Sequence, residues 1–152
     1  MGRTRTAATR LALVVTLALG LASLGSAPAG AATTRTNMYR ATNQSRTNHS
    51  VKKVDIHHRI SKLVRRHSVA MAKKGSLYHT GDPAGKYLDG IDWSTWGENV
   101  GVTGGTVASL ERAFMDSAPH RANILNEDFR RVAIGTYRDD DGLLWVTVFF
   151  YA

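Results

Sequence analysis

The chain has 152 residues, no cysteine and a formal net charge of +8, with an isoelectric point of about 10.2. Without cysteine, disulfide cross-links and thiolate metal sites are excluded, so a transition metal would have to be held by histidine and carboxylate side chains. No aromatic residues interleave with a basic run, which argues against single-strand nucleic-acid binding, and we expect no nucleic-acid partner.

Residues 1–32 have the pattern of a secretory signal peptide. Three arginines precede the apolar run LALVVTLALGLASLG, and small residues follow it in SAPAGAA. The run is short for a membrane span of roughly 20 residues, so cleavage near Ala31 or Ala32 is expected rather than membrane anchoring. We therefore predict a secreted, extracellular protein that is not transmembrane after cleavage.

The remainder of the chain is expected to comprise a flexible lead-in at residues 33–36 and one domain at residues 37–152. It carries 17 basic and 12 acidic residues, a net charge of +5. This mildly basic balance favours anionic surfaces.

The first half of this domain is predicted to be helical. MYRATNQSRTN, residues 38–48, favours a modest helix with Met38 and Thr42 on one side. From Ile56 to Met71, apolar residues recur at steps of three and four, and most basic residues of the segment fall on the other face. Gly75 is expected to end this second helix.

The histidines of the second helix are not expected to form a site. His67 lies beside the apolar face, where a packed, hydrogen-bonded core histidine is the expected role. His57 and His58 are adjacent and so cannot share one helix face as ligands.

Glycine and proline mark residues 76–96 as a loop region, and GENVGV then predicts a short extended segment. The next helix is predicted in GGTVASLERAFMDS, with Thr106 as its cap; its buried stripe comprises Val107, Leu110 and Phe114. Glu111 lies one position from this stripe, so the pattern leaves open whether it is a solvated or a pocket carboxylate.

Two strands close the chain. RVAIGTYR alternates apolar and small residues, and LLWVTVFFY is rich in aromatic and β-branched residues, with the turn DDDG between them. The second strand is apolar on both faces, so we expect it at the centre of the sheet with helices on each side. Early helices and a late antiparallel hairpin predict an α+β layered domain.

Three isolated groups are candidates for chemistry: His79, Glu98 and His120. Two imidazoles and one carboxylate suit a zinc site with an open position, or proton transfer near neutral pH. Their spacing alone is weak, because no HExxH pattern occurs. Ser117 lacks a G-x-S-x-G elbow, so we expect it to cap a short helix that has Pro119 in its first turn.

The motifs YHT, WGENVG, AFMDSAPHRANILNEDFRRVAIG and GLLWVTVFFY, in this order, resemble the bacterial branch of the CAP superfamily. This superfamily contains cysteine-rich secretory proteins, antigen 5 and plant pathogenesis-related proteins, and its module is also called the SCP domain. The resemblance spans roughly residues 37–151. It implies a three-layer α-β-α sandwich, with a small antiparallel sheet between helices and a central cavity.

The resemblance also implies a set of cavity residues. Eukaryotic members line the cavity with two histidines and two glutamates, and His79, Glu98 and His120 match three of these four. Ser117 stands where the second glutamate is usual, and Pro119 stands where the bacterial motif SPGHRxNIL has glycine. The residues expected to support the cavity are Asn99, Ser117, Arg121 and Asn123.

Three functions follow as hypotheses. The cavity binds a divalent metal such as zinc, or another small ligand, through His79, His120 and Glu98. Alternatively, the protein is a hydrolase of peptide or cell-wall substrates with His120 or Glu98 as general base. In the third hypothesis the trio stabilises loops, and the protein has a structural role or binds lipid elsewhere. No catalytic residue is assigned, and the expected partner is an extracellular ligand such as a lipid or cell-envelope component.

Overall fold

The structure is a computed structural model that describes residues 29–152. Most of the predicted signal peptide therefore lies outside the described residues. The elements follow one another as α1 (Ala29–Asn48), β1 (Asp55–Ile56), α2 (His58–Lys74), α3 (Pro83–Tyr87), β2 (Trp96–Thr103), α4 (Val107–Asp116), α5 (Ala118–Leu125), β3 (Arg131–Arg138) and β4 (Leu144–Tyr151).

The first helix is longer than the sequence pattern predicts. Residues 33–36, expected as a flexible lead-in, lie within α1. No proline or glycine interrupts residues 33–48, so nothing in this segment breaks the helix. Met38 and Thr42 are both buried, as the pattern predicts.

The second helix begins two residues later than its apolar pattern. Ile56 belongs to the short strand β1, and His57 is an extended N-cap residue whose Nδ1 accepts a hydrogen bond from the Ile60 backbone N–H at 3.2 Å. Gly75 ends α2 in the left-handed conformation, as predicted. His67 is buried, and its Nε2 lies 2.7 Å from the Tyr78 carbonyl oxygen, which confirms its structural role.

The sheet has the strand order β1-β3-β4-β2. Strand β4 pairs antiparallel with both β2 and β3, while the two-residue β1 runs parallel to β3. Every residue of β4 is buried, which confirms the predicted central position of this apolar strand. Strand β2 lies at the edge of the sheet, and this edge carries Glu98.

Helices cover both faces of the sheet and complete the predicted three-layer sandwich. One face packs against α2, whose buried residues are Ile60, Ser61, Val64, His67, Ser68 and Met71. Helix α2 approaches very closely at Gly135, where an added Cβ would lie 2.5 Å from the Arg65 backbone nitrogen. The opposite face packs against α1, α4 and α5.

A buried arginine fixes the end of α5, the helix that carries His120. Arg46 of α1 is fully buried, and its guanidinium donates to the carbonyl oxygens of Lys52 and Ile124, both at 2.6 Å. It also donates to the carbonyl oxygens of Asn126 and Phe129. Satisfied donors of this kind offset the cost of burying the charge, so Arg46 holds α5 against α1.

Candidate functional site

Glu98 is the centre of the candidate site. Its side chain is almost fully buried, and Oε1 accepts hydrogen bonds from the Thr80 backbone N–H at 2.8 Å and from His79 Nδ1 at 3.0 Å. Side chains alternate along a strand, so Glu98 and Val100 point to the same face of β2, and Val100 packs with Met71 of α2. The loop that carries His79 and Thr80 therefore covers Glu98 on the α2 side of the sheet.

The second carboxylate oxygen of Glu98, Oε2, is buried and has no hydrogen-bond partner among residues 29–152. An unpaired buried oxygen is costly, so it requires a physical explanation such as a bound water, an ion or a catalytic role. Nearby, the Tyr87 hydroxyl lies 2.9 Å from Thr80 Oγ1. Burial raises the pKa of Tyr87 to about 12, and the Glu98 charge contributes to the rise, so this hydroxyl stays protonated at neutral pH.

The hydrogen bond to Glu98 determines how His79 presents its ring. A carboxylate only accepts hydrogen bonds, so His79 Nδ1 carries the proton in this contact. In the neutral ring, Nε2 is then left with a free lone pair. The His79 side chain is 63% exposed, so the ring reaches solvent although its partner is buried.

His120 lies in the first turn of α5. Its Nδ1 is 2.8 Å from Ser117 Oγ, and its ring packs against Phe114 at a centroid distance of 5.0 Å. Burial lowers the pKa of His120, and the nearby His79 lowers it further. The lowered pKa favours the neutral form of the His120 ring, and the effect of His79 shows that the two imidazoles lie near each other.

The structure corrects one expectation at the start of α5. Ser117 occupies the N-cap position, but its side chain makes no capping hydrogen bond. Its hydroxyl contacts the His120 ring instead. Pro119 lies in the first turn of α5, where its missing N–H breaks no helical hydrogen bond, so α5 forms despite the exchange of glycine for proline.

Two asparagines join the strand of Glu98 to the helix of His120. Asn99 Nδ2 donates to the His120 carbonyl oxygen at 3.0 Å. Asn123 Nδ2 donates to Asn99 Oδ1 at 2.8 Å and to the Glu98 carbonyl oxygen at 3.2 Å. An added Cβ at Gly97 would lie 2.5 Å from Asn123 Oδ1, so a larger residue before Glu98 would displace the Asn123 side chain from this network.

Arg121 lies apart from this network. It is exposed, and its guanidinium donates to the Met115 carbonyl oxygen at 2.8 Å, which ties α5 to the end of α4.

Glu111 is buried, but away from the site. It lies between α1 and α4, where Thr42 Oγ1 donates to its Oε2 at 3.2 Å. Burial raises the pKa of Glu111, while hydrogen bonds from Ser45 and Thr42 oppose the rise. It lines a separate groove of about 430 Å³ between these helices, so it does not replace the second cavity glutamate.

Two properties of the described part of the chain bear on the predicted ligands and location. Within residues 29–152, no cluster of three or more histidine, aspartate or glutamate side chains is arranged to hold a metal ion. Over the same range, no helix combines the length and apolar character needed to cross a membrane.

Solved structures of similar shape define the fold. An extracellular SCP-domain protein from Bacillus anthracis is 22% identical with a TM-score of 0.68, covering 85% of this chain and 45% of its own. An outer surface protein from Borrelia burgdorferi is 15% identical with a TM-score of 0.67, covering 76% and 90%. At these identities the likeness establishes the fold alone, which is the SCP-domain fold.

The sequence then identifies the family. Residues 39–150 match CAP, the cysteine-rich secretory protein family, and the chain belongs to this family. The uncharacterized protein YkwD of Bacillus subtilis is 30% identical over 129 residues, which are 82% of this chain and 49% of YkwD. The chain thus spans about half the length of this curated relative.

Proposed function

We propose that this chain is a secreted bacterial binding module that holds a divalent cation or small polar ligand between His79 and His120. One observation carries the proposal. Each imidazole has its Nδ1 engaged, His79 with Glu98 and His120 with Ser117, and each Nε2 has no hydrogen-bond partner among residues 29–152. When Nδ1–H of His120 donates to Ser117 Oγ, as Nδ1–H of His79 donates to Glu98, the two rings present Nε2 lone pairs from opposite sides of the β2 edge.

Two imidazoles supply two of the ligands that zinc requires, and water or a further ligand would have to complete its coordination, since residues 29–152 offer no group of three side chains for the ion. Histidines that bind metals usually give their other ring N–H to a carboxylate or a backbone carbonyl, as His79 does with Glu98, and this raises their basicity. The lowered pKa of His120 favours the neutral ring, which is the form that binds a metal. His79 and His120 would hold the ion, and Glu98 would orient His79 through their hydrogen bond. The bound ion would attract an anionic group of a further ligand.

Thermal unfolding with and without zinc tests this proposal. A saturating ion at about 100 times its dissociation constant stabilises the folded state by about 2.7 kcal/mol. We expect zinc to raise the melting temperature of the parent chain and to leave His79→Ala and His120→Ala variants unchanged. An unchanged parent melting curve at stoichiometric zinc contradicts the metal proposal. His58 is exposed and lies outside the site, so a His58→Ala variant serves as the control. If this variant also lost the stabilisation by zinc, the metal would bind outside the proposed site.

The Ser117–His120 contact supports hydrolysis as a second candidate function. A hydroxyl within hydrogen-bond distance of an imidazole is the pairing of a nucleophile with its base. The other nitrogen of His120 contacts no carboxylate among residues 29–152, so the third member of a triad is missing and we rank hydrolysis second. Turnover of peptide, ester or cell-wall substrates that is lost in both Ser117→Ala and His120→Ala would establish it. No turnover by the parent chain would eliminate it.

Secretion rests on the predicted signal peptide and on the extracellular and surface locations given for the two structural relatives above. Mass spectrometry of the protein recovered from culture medium should give an N-terminus at residue 32 or 33. An intact N-terminal segment on cell-bound protein would contradict this expectation.

A further inference from the structure

The outer face of α2 carries four exposed cations, Arg59, Lys62, Arg66 and Lys73, which we call the cation row. They are separated by three, four and seven residues, so they lie on one face of the helix, opposite its buried side chains. At 1.5 Å per residue the row extends over about 21 Å. It is a straight, one-sided line of positive charge.

The four cations of the row are not paired within the described part of the chain, although Asp92 lines a groove together with Arg59 at one end of the row. Helix α2 contains no acidic residue over its 17 positions, and within residues 29–152 none of the four cations forms an ion pair. The two other cations of the helix lie over aromatic rings, Arg65 over Tyr137 and Lys74 over Tyr78. An amphipathic helix needs a polar outer face, but it does not need all the charges on that face to be positive.

A cleft adjoins the middle of the row. It has a volume of about 360 Å³, lies between α2 and the segment of residues 78–87, and brings Arg66 together with Lys86. Lys86 belongs to α3, so a second element adds positive charge beside the row. Thr80 also lines the cleft, and its backbone N–H donates to Glu98, which connects the cleft with the candidate site.

We propose that the cation row binds a flexible phosphodiester polymer of the cell envelope, laid along α2. A linear series of cations matches a linear series of phosphates, and each contact releases counterions from the polymer. A membrane surface is disfavoured because the large exposed apolar side chains of the described residues, Leu77, Trp93 and Trp96, lie outside α2. The row therefore has no large apolar side chain to insert among lipid chains. This proposal is independent of the function of His79 and His120.

Binding of long-chain inorganic polyphosphate tests the proposal. The affected variant replaces all four cations of the row by glutamine, a good helix former. The matched control replaces four exposed cations of other segments by glutamine, namely Arg40, Lys52, Lys53 and Arg112. Both variants lose four positive charges, so they differ only in the positions of the replaced cations.

For the parent chain we expect the logarithm of affinity to fall with the logarithm of salt concentration with a slope of roughly −3, as four single-strand phosphate contacts give. The row variant should lose at least about tenfold in affinity at low salt and most of this slope, while the control loses less. Circular dichroism checks that the helices are retained. The double variant Lys62→Gln/Arg66→Gln should show an intermediate loss.

Equal losses in the row variant and the control would overturn the proposal, because only net charge would then matter. Tighter binding to phosphatidylglycerol vesicles than to polyphosphate at equal phosphate concentration would also overturn it, in favour of a membrane surface.

Discussion

Glu98 and Glu111 are two buried carboxylates with different surroundings. Each is 5% exposed, and each has one oxygen without a hydrogen-bond partner among the described residues. Glu98 accepts from a backbone N–H and from an imidazole whose ring reaches solvent. Glu111 has hydroxyl partners only, Thr42 and Ser45, between two helices.

The difference shows that burial of a carboxylate does not by itself make a binding site. At Glu98, the carboxylate accepts a hydrogen bond from His79 and so orients its ring. This ring reaches solvent, where a ligand can contact it. At Glu111, burial raises the pKa and the carboxyl favours its neutral form. We therefore expect the first carboxylate to act in binding and the second to affect only stability.

The largest expected effect is on ligand binding. Replacing both His79 and His120 by alanine should abolish the rise in melting temperature that zinc produces in the parent chain. The same rise should fade at acidic pH, because protonated imidazoles do not bind metal, and the lowered pKa of His120 delays the loss of its own contribution to lower pH. Melting curves at several zinc concentrations and pH values measure both effects. A rise that persists in the double variant would place the zinc elsewhere.

Glu98→Gln should weaken zinc binding without abolishing it. The amide can still accept from the Thr80 N–H, but it cannot act as a charged acceptor for His79. Loss of such a partner typically costs 10–100-fold in metal affinity. Isothermal titration with zinc gives the affinity directly. Unchanged affinity would show that the carboxylate does not orient His79 for binding.

Glu111→Gln should stabilise the protein in a pH-dependent way. A carboxyl with a raised folded-state pKa contributes stability below its unfolded pKa of about 4.3 and loses it as the pH rises through the folded value. Removing the ionisable group should therefore benefit the variant more at pH 7 than at pH 4. Urea unfolding at both pH values measures the difference, with exposed Glu127→Gln as the control. An equal effect at both pH values would contradict the raised pKa.

The smallest expected effect is that of Ser117→Ala. The variant loses the contact with His120 Nδ1 but no helix-capping bond, so the stability loss should be about 1 kcal/mol or less. Zinc affinity should fall less than in Glu98→Gln. Thermal unfolding and zinc titration give both values. A loss of zinc binding as complete as that in His120→Ala would show that Ser117 is essential for orienting the ring.

Much of the fold follows from local patterns in the sequence. The apolar steps from Ile60 to Met71 predict α2 because the pattern repeats over several turns, and Gly75 predicts its end. The unbroken apolar character of β4 predicts a central strand, because only a strand covered on both faces is apolar on both. The order of the motifs, which resembles that of the CAP superfamily, predicts that His79, Glu98 and His120 lie in one region of the fold. Their spacing along the chain does not predict this.

Other features depend on distant contacts and leave no local signal. Arg46 is fully buried, and four carbonyl oxygens from other segments accept hydrogen bonds from its guanidinium. The sequence of its helix is mostly polar and does not indicate this burial. Strand β1 has two residues and exists through its pairing with β3. Glu111 lies at the margin of an apolar stripe, and only the packing of α1 against α4 decides that it is buried.

A zinc titration of the parent chain, Glu98→Gln and Glu111→Gln, followed by melting temperature, tests the central claim most directly. The two variants replace a carboxyl group by an amide at equally buried positions. We predict that zinc stabilises the parent and Glu111→Gln alike, and that Glu98→Gln needs 10–100-fold more zinc for the same rise. No zinc effect on the parent, or equal weakening in both variants, would contradict the claim that Glu98 belongs to a binding site and Glu111 does not.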